Sequence, residues 1–302
     1  MIRNFDELHE AVKAGTPTRI AIVGGDNDDC VEFAHMANNE KLATCIFVGD
    51  EAAIEKAFAA HGRPEGADIH NCPADEVEAS AEAVRLCKEG KAHFILKGKI
   101  KTNTLLKAVL QVIHDEVKNG DRRLSHITVL ENPRMNKLLI LTDAGMNVAP
   151  GINEKIQIMQ NAIKVAHSLG IEKPKVIFAA GMEDTGQDFP AIVDAREIVK
   201  RHKAGEWQDA IIDGPFGVDV GLEPDAAKEK KIETPIAGDA DIIMVPTLEA
   251  GNISIKMVLY YQKSIMLGVV VGGAAPILLV SRAHPPRAKL MSAALAKIIV
   301  GD

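Results

Sequence analysis

The chain alternates short apolar runs, rich in β-branched residues, with longer segments that have the spacing of helices. Nine of these runs predict strands: TRIAIVGG, ATCIFVG, AHFILKG, HITVLEN, KLLILTDAG, KVIFAAG, DAIIDG, DIIMVP and APILLV. Most are continuously apolar, which is typical of strands covered on both faces by crossover helices. The sequence therefore predicts an α/β protein.

Four of the longer segments predict amphipathic helices. The clearest spans residues 153–169, with Ile156, Met159 and Ile163 on one face, and Gly170 is its predicted C-cap. Weaker versions of the pattern span residues 75–88, 102–117 and 190–202. No low-complexity linker or repeat interrupts the chain, so a division into domains must come from topology.

Composition limits the class of protein. With 302 residues, 47% hydrophobic and 25% charged, we expect a globular protein of one or two domains. The net charge of -7 argues against sequence-independent binding to nucleic acid. No run approaches the roughly 20 apolar residues that span a bilayer, and the N-terminus is charged, so no membrane association and a cytoplasmic location are expected.

The four cysteines, Cys30, Cys45, Cys72 and Cys87, lie in the first third of the chain and show no CxxC spacing. We expect them to be reduced and structural, without a zinc site or a disulfide framework. Aspartates at several predicted strand ends have no compact ligand spacing, so no metal site is predicted either.

Chemistry in α/β sheets collects beyond the carboxyl ends of the strands. Residues 24–29, GGDNDD, follow the first predicted strand and are interpreted as a tight turn with acidic helix capping. After HFIL, Lys97 and Gly98 lead towards a helix that opens near Thr102 and carries Lys107. We expect this lysine-rich helix start to bind an anion, the alternative being a solvated basic turn.

Two further strand ends carry small and polar residues. The loop after LLIL contains Asp143 and Asn147, which either contact a ligand or only satisfy turn amides, and the sequence favours neither role. Asp213 follows the strand in DAIIDG. Ser281 and Arg282 follow PILLV. The guanidinium of an arginine at this position can donate two hydrogen bonds to one phosphate, the alternative being a structural salt bridge.

These strand ends together indicate an α/β enzyme that handles small phosphorylated anions. The sequence contains no G-x-S-x-G motif, Walker loop or dinucleotide fingerprint. From these residues alone the reaction stays open.

The motifs as a set resemble the phosphate acetyl/butyryltransferase family, above all in EAGNISIK and SRA. They are LKGKIKTNTLLKAVL, LSHITVLE, LTDAGMNVAPGINEKIQIMQNA, DGPFGVD, AGDADIIMVPTLEAGNISIKM and PILLVSRA. The resemblance runs from about residue 92 to the end and is weaker before it. It implies a two-domain fold of the isocitrate/isopropylmalate dehydrogenase type, with an active-site cleft between the domains, and a homodimer or higher homo-oligomer. The implied domains are residues 1–128 plus 272–302, and residues 129–271.

The resemblance also implies the reaction, a reversible transfer of a butyryl or acetyl group between coenzyme A and inorganic phosphate. Coenzyme A and acyl phosphate are then substrates, and no permanently bound cofactor is expected. The thiol must lose its proton as it attacks the acyl carbonyl, so the site needs a cationic seat for phosphate, donors for the carbonyl oxygen and a base.

Residue roles follow from the same resemblance. Arg282 and Ser281 match the family's phosphate-binding arginine and its adjacent serine, whereas Lys107 stands where the family usually has an arginine and loses the bidentate fork. The other implied substrate-binding residues are Lys97, Gly98, Thr102, Ser125, Asp143, Asn147, Asp213, Gly251, Asn252 and Lys256.

The base is the point of departure from the family. The acetyltransferase branch has a cysteine two positions after the arginine and an aspartate, the proposed base, four positions later. Here those positions hold His284 and Ala288, which leaves His284, titrating near neutrality if unperturbed, or Asp143 as the candidate base. SRA is closer to the butyryltransferase branch, but one methylene changes discrimination by only about 1–3 kcal/mol, so the acyl group stays open.

Two other functions are compatible with this fold. One is a dehydrogenase that uses NAD and a divalent metal, although the sequence lacks a nucleotide signal and a metal-ligand pattern. The other is a non-catalytic acyl-CoA-binding regulatory module, although no catalytic domain accompanies it in this chain.

Overall fold

The computed structural model describes residues 1–16, 18–116, 123–183, 186–279 and 285–301. Its internal contacts divide the chain into two compact units. We name the two units by their place along the chain. The outer unit comprises residues 5–124 and 267–302, and the central unit comprises residues 1–4 and 125–266. The contacts therefore divide the chain at 4/5, 124/125 and 266/267. The resemblance implied boundaries at 128/129 and 271/272.

Helices and strands alternate along most of the described chain. The helices are α1 Phe5–Lys13, α2 Asp28–Asn39, α3 Glu51–His61, α4 Glu76–Lys88, α5 Thr102–Glu116, α6 Ile152–Ser168, α7 Pro190–Lys203, α8 Val218–Leu222, α9 Pro224–Glu229, α10 Leu248–Gln262 and α11 Pro286–Val300. The strands are β1 Thr18–Val23, β2 Ala43–Gly49, β3 Asp68–Asn71, β4 Phe94–Lys97, β5 Ser125–Asn132, β6 Lys137–Thr142, β7 Lys175–Ala179, β8 Ile211–Phe216, β9 Ile242–Met244, β10 Leu267–Val271 and β11 Ile277–Leu278.

The strands of the outer unit lie in the order β3-β2-β1-β4-β11-β10. All neighbouring pairs are parallel except β10 and β11, which are antiparallel. From β1 the chain adds β2 and β3 on one side and then places β4 on the other side of β1. The strand order therefore reverses between β1 and β4, the position where open α/β sheets bind ligands.

The strands of the central unit lie in the order β5-β6-β9-β7-β8. β5 is antiparallel to β6 and the remaining pairs are parallel. A core cluster that includes Ile177, Ile243 and Ile255 holds this sheet against α10. Because β5 and β6 run in opposite directions, the start of β5 lies beside the end of β6 at the carboxyl edge.

The predicted α/β class is confirmed, and all nine predicted strands are present. β3 was missed because DIHN is a short edge strand with mostly polar side chains, and β10 was missed although LGVVV is wholly buried. The four predicted helices are present as α4, α5, α6 and α7. Gly170, with φ +81°, follows α6 and donates its N–H to the His167 carbonyl, as the predicted cap requires.

All four cysteines are free thiols, as expected. Cys30, Cys45 and Cys72 are buried, and Cys87 is partly buried. Within the described part of the chain, no helix combines the length and apolar character needed to cross a bilayer.

Candidate functional site

A pocket of about 520 Å³ lies at the carboxyl edge of the outer unit. The loop after β1 and the first turn of α2 form one wall, and the loop after β4 together with α11 forms another. Its charged lining residues are Asp26, Asp28, Asp29, Lys97, Lys99 and Lys289. Acidic side chains therefore come from the β1 side and basic side chains from the β4 and α11 side.

Backbone hydrogen bonds hold the two loops of this pocket together. The N–H of Gly98 donates to the Val23 carbonyl at 2.8 Å, and the N–H of Lys99 donates to the Gly24 carbonyl at 2.8 Å. A Cβ on Gly98 would lie 2.2 Å from the Gly24 oxygen, closer than any side chain allows. Close approach at Gly98 was predicted for a ligand, but it already serves the neighbouring loop.

The turn into α2 has the structure that the sequence predicted. Gly24 has φ +66°, and Asn27 is the N-cap of α2, where its side chain accepts from the N–H of Cys30. The Asn27 side chain also donates to the Gly24 carbonyl at 2.8 Å. Asp28 and Asp29 occupy the first helical turn, where acids complement the helix dipole.

The residues predicted to form one lysine-rich anion site lie in two places in the structure. The half-buried Lys97 donates from Nζ to the carbonyls of Gly98 at 3.1 Å and Ile100 at 2.9 Å, so its ammonium holds the turn in place. Thr102 and Lys107 lie on α5 and are not among the residues that line the pocket. Lys107 is exposed.

The first turns of α11 present three consecutive residues in different directions. Arg287 forms an ion pair with Asp6 at 2.5 Å, and Ala288 is only 1% exposed and packs into the core. Lys289 reaches the pocket, where its Nζ lies 3.9 Å from Asp29 Oδ1. The sequence indicates no role for Lys289, because α11 is apolar around most of its circumference and its pattern does not reveal which face lines a pocket.

The pocket also contains a thiol, Cys30. Burial raises the pKa of this thiol to about 11, outweighing the hydrogen bond from Asn27 that favours the thiolate. Near neutral pH Cys30 is therefore uncharged.

Asp143 organises the carboxyl edge of the central unit. Its carboxylate is 3% exposed and accepts four hydrogen bonds. Oδ1 accepts from the N–H groups of Gly145 at 2.8 Å and Met146 at 2.9 Å. Oδ2 accepts from the N–H of His126 at 3.1 Å and from Nδ2 of Asn147 at 2.5 Å. The turn-satisfying role that the sequence left open is thus observed for Asp143, and Asn147 holds the Asp143 carboxylate.

His126, at the start of β5, is fixed beside this loop. Its carbonyl accepts from Thr142 Oγ1 at 2.9 Å, and its Nδ1 lies 3.3 Å from Thr128 Oγ1. A Cβ on Gly145 would lie 2.9 Å from Cγ of the imidazole, so the ring packs directly on the glycine. No sequence pattern indicates a role for this histidine, because its contacts join two strands and a loop.

The start of α10 packs on the same loop. Gly251 allows this, since a Cβ there would lie 2.8 Å from both the Ala144 Cβ and Val245 Cγ2. Asn252 donates from Nδ2 to the Ala144 carbonyl at 3.2 Å. The structure therefore brings together four of the residues predicted to bind substrate. They are Asp143, Asn147, Gly251 and Asn252. Lys256 lies one helical turn beyond Asn252 and is exposed.

Two other predicted residues bond within their own surroundings. Ser125 is fully buried, and its Oγ accepts from Asn161 Nδ2 at 2.9 Å. Asp213 accepts from the N–H of Gly214 at 3.0 Å and from Thr234 Oγ1 at 2.7 Å.

The three predicted catalytic residues, Ser281, Arg282 and His284, lie outside the described residues. They belong to the segment between β11, which ends at Leu278, and α11, which begins at Pro286. Among the residues that the structure does describe, no group of three His, Cys, Asp or Glu side chains is arranged to hold a metal ion.

Comparison with known proteins gives a consistent result. The family model "Phosphate acetyl/butaryl transferase" matches residues 66–297. Phosphate butyryltransferase of Clostridium acetobutylicum is 34% identical over 305 residues, covering 100% of both chains. Phosphate acetyltransferase of Thermotoga maritima is 30% identical and covers 94% of this chain and 96% of its own.

A solved structure supports the same assignment. A branched-chain phosphotransacylase from Enterococcus faecalis matches with a TM-score of 0.78 and 29% identity, covering 94% of this chain and 99% of its own. The family match extends over most of the chain and includes the motifs in which the strand-end loops were recognised. The chain therefore belongs to the phosphate acetyl/butyryltransferase family.

Proposed function

We propose that this protein transfers a short-chain acyl group reversibly between coenzyme A and inorganic phosphate. The observation that carries the proposal is the family match over residues 66–297, together with 34% identity to a phosphate butyryltransferase along the whole chain. In this reaction the thiolate sulfur forms a bond to the acyl carbon, the bond from that carbon to the phosphate oxygen breaks, and the thiol proton passes to a base. No permanently bound cofactor takes part.

Arg282 and Ser281 are the proposed centre of the chemistry. The guanidinium of Arg282 binds the phosphate through paired hydrogen bonds and stabilises the negative charge that develops on the carbonyl oxygen. Ser281 donates a further hydrogen bond, and His284 accepts the thiol proton. The position of the base in the acetyltransferase branch holds Ala288, which has no carboxylate and is buried in the core.

The remaining predicted residues bind the substrates or hold the binding residues in place. In the central unit Asn252 and Lys256 are the proposed substrate contacts. Asp143 and the fully buried Ser125 are proposed positioning residues. The Asp143 carboxylate accepts four hydrogen bonds from the protein, and Ser125 accepts one from Asn161.

Asn147 and Gly251 support the loop after β6, and Asp213 holds Thr234 in place. In the outer unit Lys97 and Gly98 shape the pocket, and Thr102 and Lys107 are proposed to contribute from α5.

We also propose the two-domain architecture of the isocitrate dehydrogenase type, with the outer and central units as the domains, and a cytoplasmic homodimer. The proposed dimer contact is the exposed apolar stripe on α10, formed by Ile253, Met257, Tyr260 and Tyr261. Tyr260 and Tyr261 are 77% and 86% exposed, and large aromatic side chains are favoured at interfaces. α10 carries one acid and one base, so two copies meeting there bring no excess like charge together.

The decisive test is a thioester-forming assay with acyl phosphates from acetyl to butyryl and coenzyme A, followed by ultraviolet absorbance. We expect activity without nicotinamide, and a loss of at least about 100-fold in kcat/KM for Arg282→Ala, the magnitude of losing an oxyanion donor. Inactivity of the wild type with every acyl phosphate would overturn the proposal. NAD reduction by a hydroxy acid would favour the dehydrogenase alternative instead.

A further inference from the structure

The Lys289 side chain is covered by the pocket wall without a full set of partners. It is 15% exposed, and its nearest acid is Asp29 at 3.9 Å, beyond the length of a hydrogen bond. Within the described part of the chain, the Lys289 ammonium donates no hydrogen bond. Asp29 supplies an ion pair, but at a distance too long for a hydrogen bond. A largely covered ammonium whose N–H donors find no acceptor among the described residues is unfavourable, so this arrangement points to an anionic ligand as a further partner.

The location of Lys289 supports a ligand as that partner. The pocket lies between the loop after β1 and the loop after β4, where the strand order of the outer unit reverses. Open α/β sheets bind ligands outside the carboxyl ends of the strands at such a position. Lys97 and Lys99 line the same wall and add to its positive potential.

Neighbouring groups in the pocket do not satisfy Lys289. The Cys30 thiol stays protonated near neutral pH, because burial raises its pKa to about 11. Oδ1 of Asp28 lies 2.8 Å from Nε2 of His61. Asp29 and Asp26 remain on the opposite wall, so the pocket is polarised, with cations on one side and hydrogen-bond acceptors on the other.

The size and polarity of the pocket fit coenzyme A better than acyl phosphate. A volume of about 520 Å³ is in the range of sites for organic ligands and exceeds what a phosphate ion fills. Coenzyme A carries phosphate groups for the lysine wall and amino and hydroxyl groups that can donate to the aspartates. Acyl phosphate offers the same phosphate chemistry but no comparable donors.

We propose that Lys289 binds a phosphate group in this pocket, and that the phosphate belongs to the nucleotide end of coenzyme A. The identity of the ligand rests on the proposed function, whereas the anion-binding role of Lys289 rests on the pocket. Lys289 is a substrate-binding residue on this proposal and takes no part in proton transfer.

Calorimetric binding of coenzyme A and of dephospho-coenzyme A, which lacks the 3′-phosphate, tests the proposal without requiring turnover. For Lys289→Met and Lys289→Gln we expect coenzyme A to bind about tenfold more weakly, as for the loss of one charged hydrogen bond. Lys289→Arg keeps the charge and should restore most of the affinity. If the 3′-phosphate is the group bound, the variants and the wild type bind dephospho-coenzyme A equally; if a diphosphate oxygen is bound, both ligands weaken together.

Lys203→Met, which removes an exposed lysine from α7, is the matched control and should leave binding unchanged. Thermal melting of each variant checks that it is folded. A rise in KM for acyl phosphate alone would assign the phosphate to the other substrate and overturn the coenzyme A assignment. Unchanged affinity and unchanged KM for both substrates in folded Lys289 variants would overturn the whole inference. A wild type that binds coenzyme A but transfers no acyl group would refute the proposed function and leave the Lys289 site standing.

Discussion

The carboxyl edges of the two units use their polar residues in opposite ways. In the central unit, the Asp143 carboxylate receives four hydrogen bonds and every donor comes from its own loop or the adjacent strand. In the outer unit, the Lys289 ammonium lies in a pocket with its nearest acid at 3.9 Å. The first edge is a preformed scaffold, and the second has binding capacity left for a ligand.

Burial explains the difference. The loop after β6 lies under the start of α10, and buried backbone groups must find partners inside the protein. The pocket of the outer unit is open, so its charged groups can remain available to a ligand. Substitutions in the central edge should therefore reduce stability, whereas substitutions in the outer pocket should reduce affinity.

The largest expected effect is that of Asp143→Ala. It leaves four donors around a buried space, and we expect the free energy of unfolding to fall by about 3–5 kcal/mol, since each unpaired buried donor costs about 1–3 kcal/mol and partial relaxation recovers some of it. Urea denaturation measures the change.

Asp143→Asn is the matched variant, because it keeps one carbonyl oxygen and the size of the side chain. It should lose about half as much stability. The exposed Asp209→Ala should change stability by less than about 0.5 kcal/mol. A loss below about 1 kcal/mol for Asp143→Ala would show that water replaces the carboxylate, and the contrast between scaffold and binding pocket would fail.

Gly98→Ala should have the next largest effect. A Cβ would lie 2.2 Å from the Gly24 carbonyl oxygen, and backbone cannot move aside as a flexible side chain can. We expect a loss of about 2 kcal/mol from overpacking, together with weaker binding of coenzyme A as the β1 and β4 loops separate.

Gly181→Ala is the matched control for this change, since no atom of the described residues lies within 4 Å of its Cβ position. It should leave both stability and binding near the wild-type values. If Gly98→Ala retained full stability, the two loops would be less tightly joined than their hydrogen bonds indicate.

Periodicity and apolar runs predicted most of the fold because they record burial directly. β3 escaped since DIHN lies at the edge of its sheet, where polar side chains are tolerated. β10 escaped because LGVVV follows α10 closely, and a short apolar run does not distinguish a strand from a helix by periodicity.

The site was less accessible to sequence reasoning, because its contacts join residues from separate segments. Close approach at Gly98 was predicted for a ligand, whereas the partner in the structure is a backbone carbonyl of another loop. The bond from His126 to Asp143 depends on the antiparallel pairing of β5 and β6. The position of Lys289 in the pocket depends on how α11 is rotated about its axis. The sequence of a helix that is buried on nearly every side does not reveal this rotation.

The smallest expected effect concerns Cys30 and sharpens the description of the outer pocket. Because burial raises the pKa of this thiol from 9.0 to about 11, the unfolded chain ionises first as the pH rises. The stability contributed by Cys30 is complete below about pH 9 and is lost between about pH 9 and 11, amounting to about 1 kcal/mol at pH 10.

Denaturation of the wild type and Cys30→Ala at pH 8 and pH 10 isolates this contribution, because the other ionisable groups are common to both proteins. The stability difference between them should shrink by about 1 kcal/mol at the higher pH. A thiol that instead reacted rapidly with alkylating reagents at pH 8 in the folded protein would be a thiolate beside Lys289. The thiolate would then be the anionic partner of Lys289 within the protein. The outer pocket would resemble the carboxyl edge of the central unit, where the polar groups bond to one another.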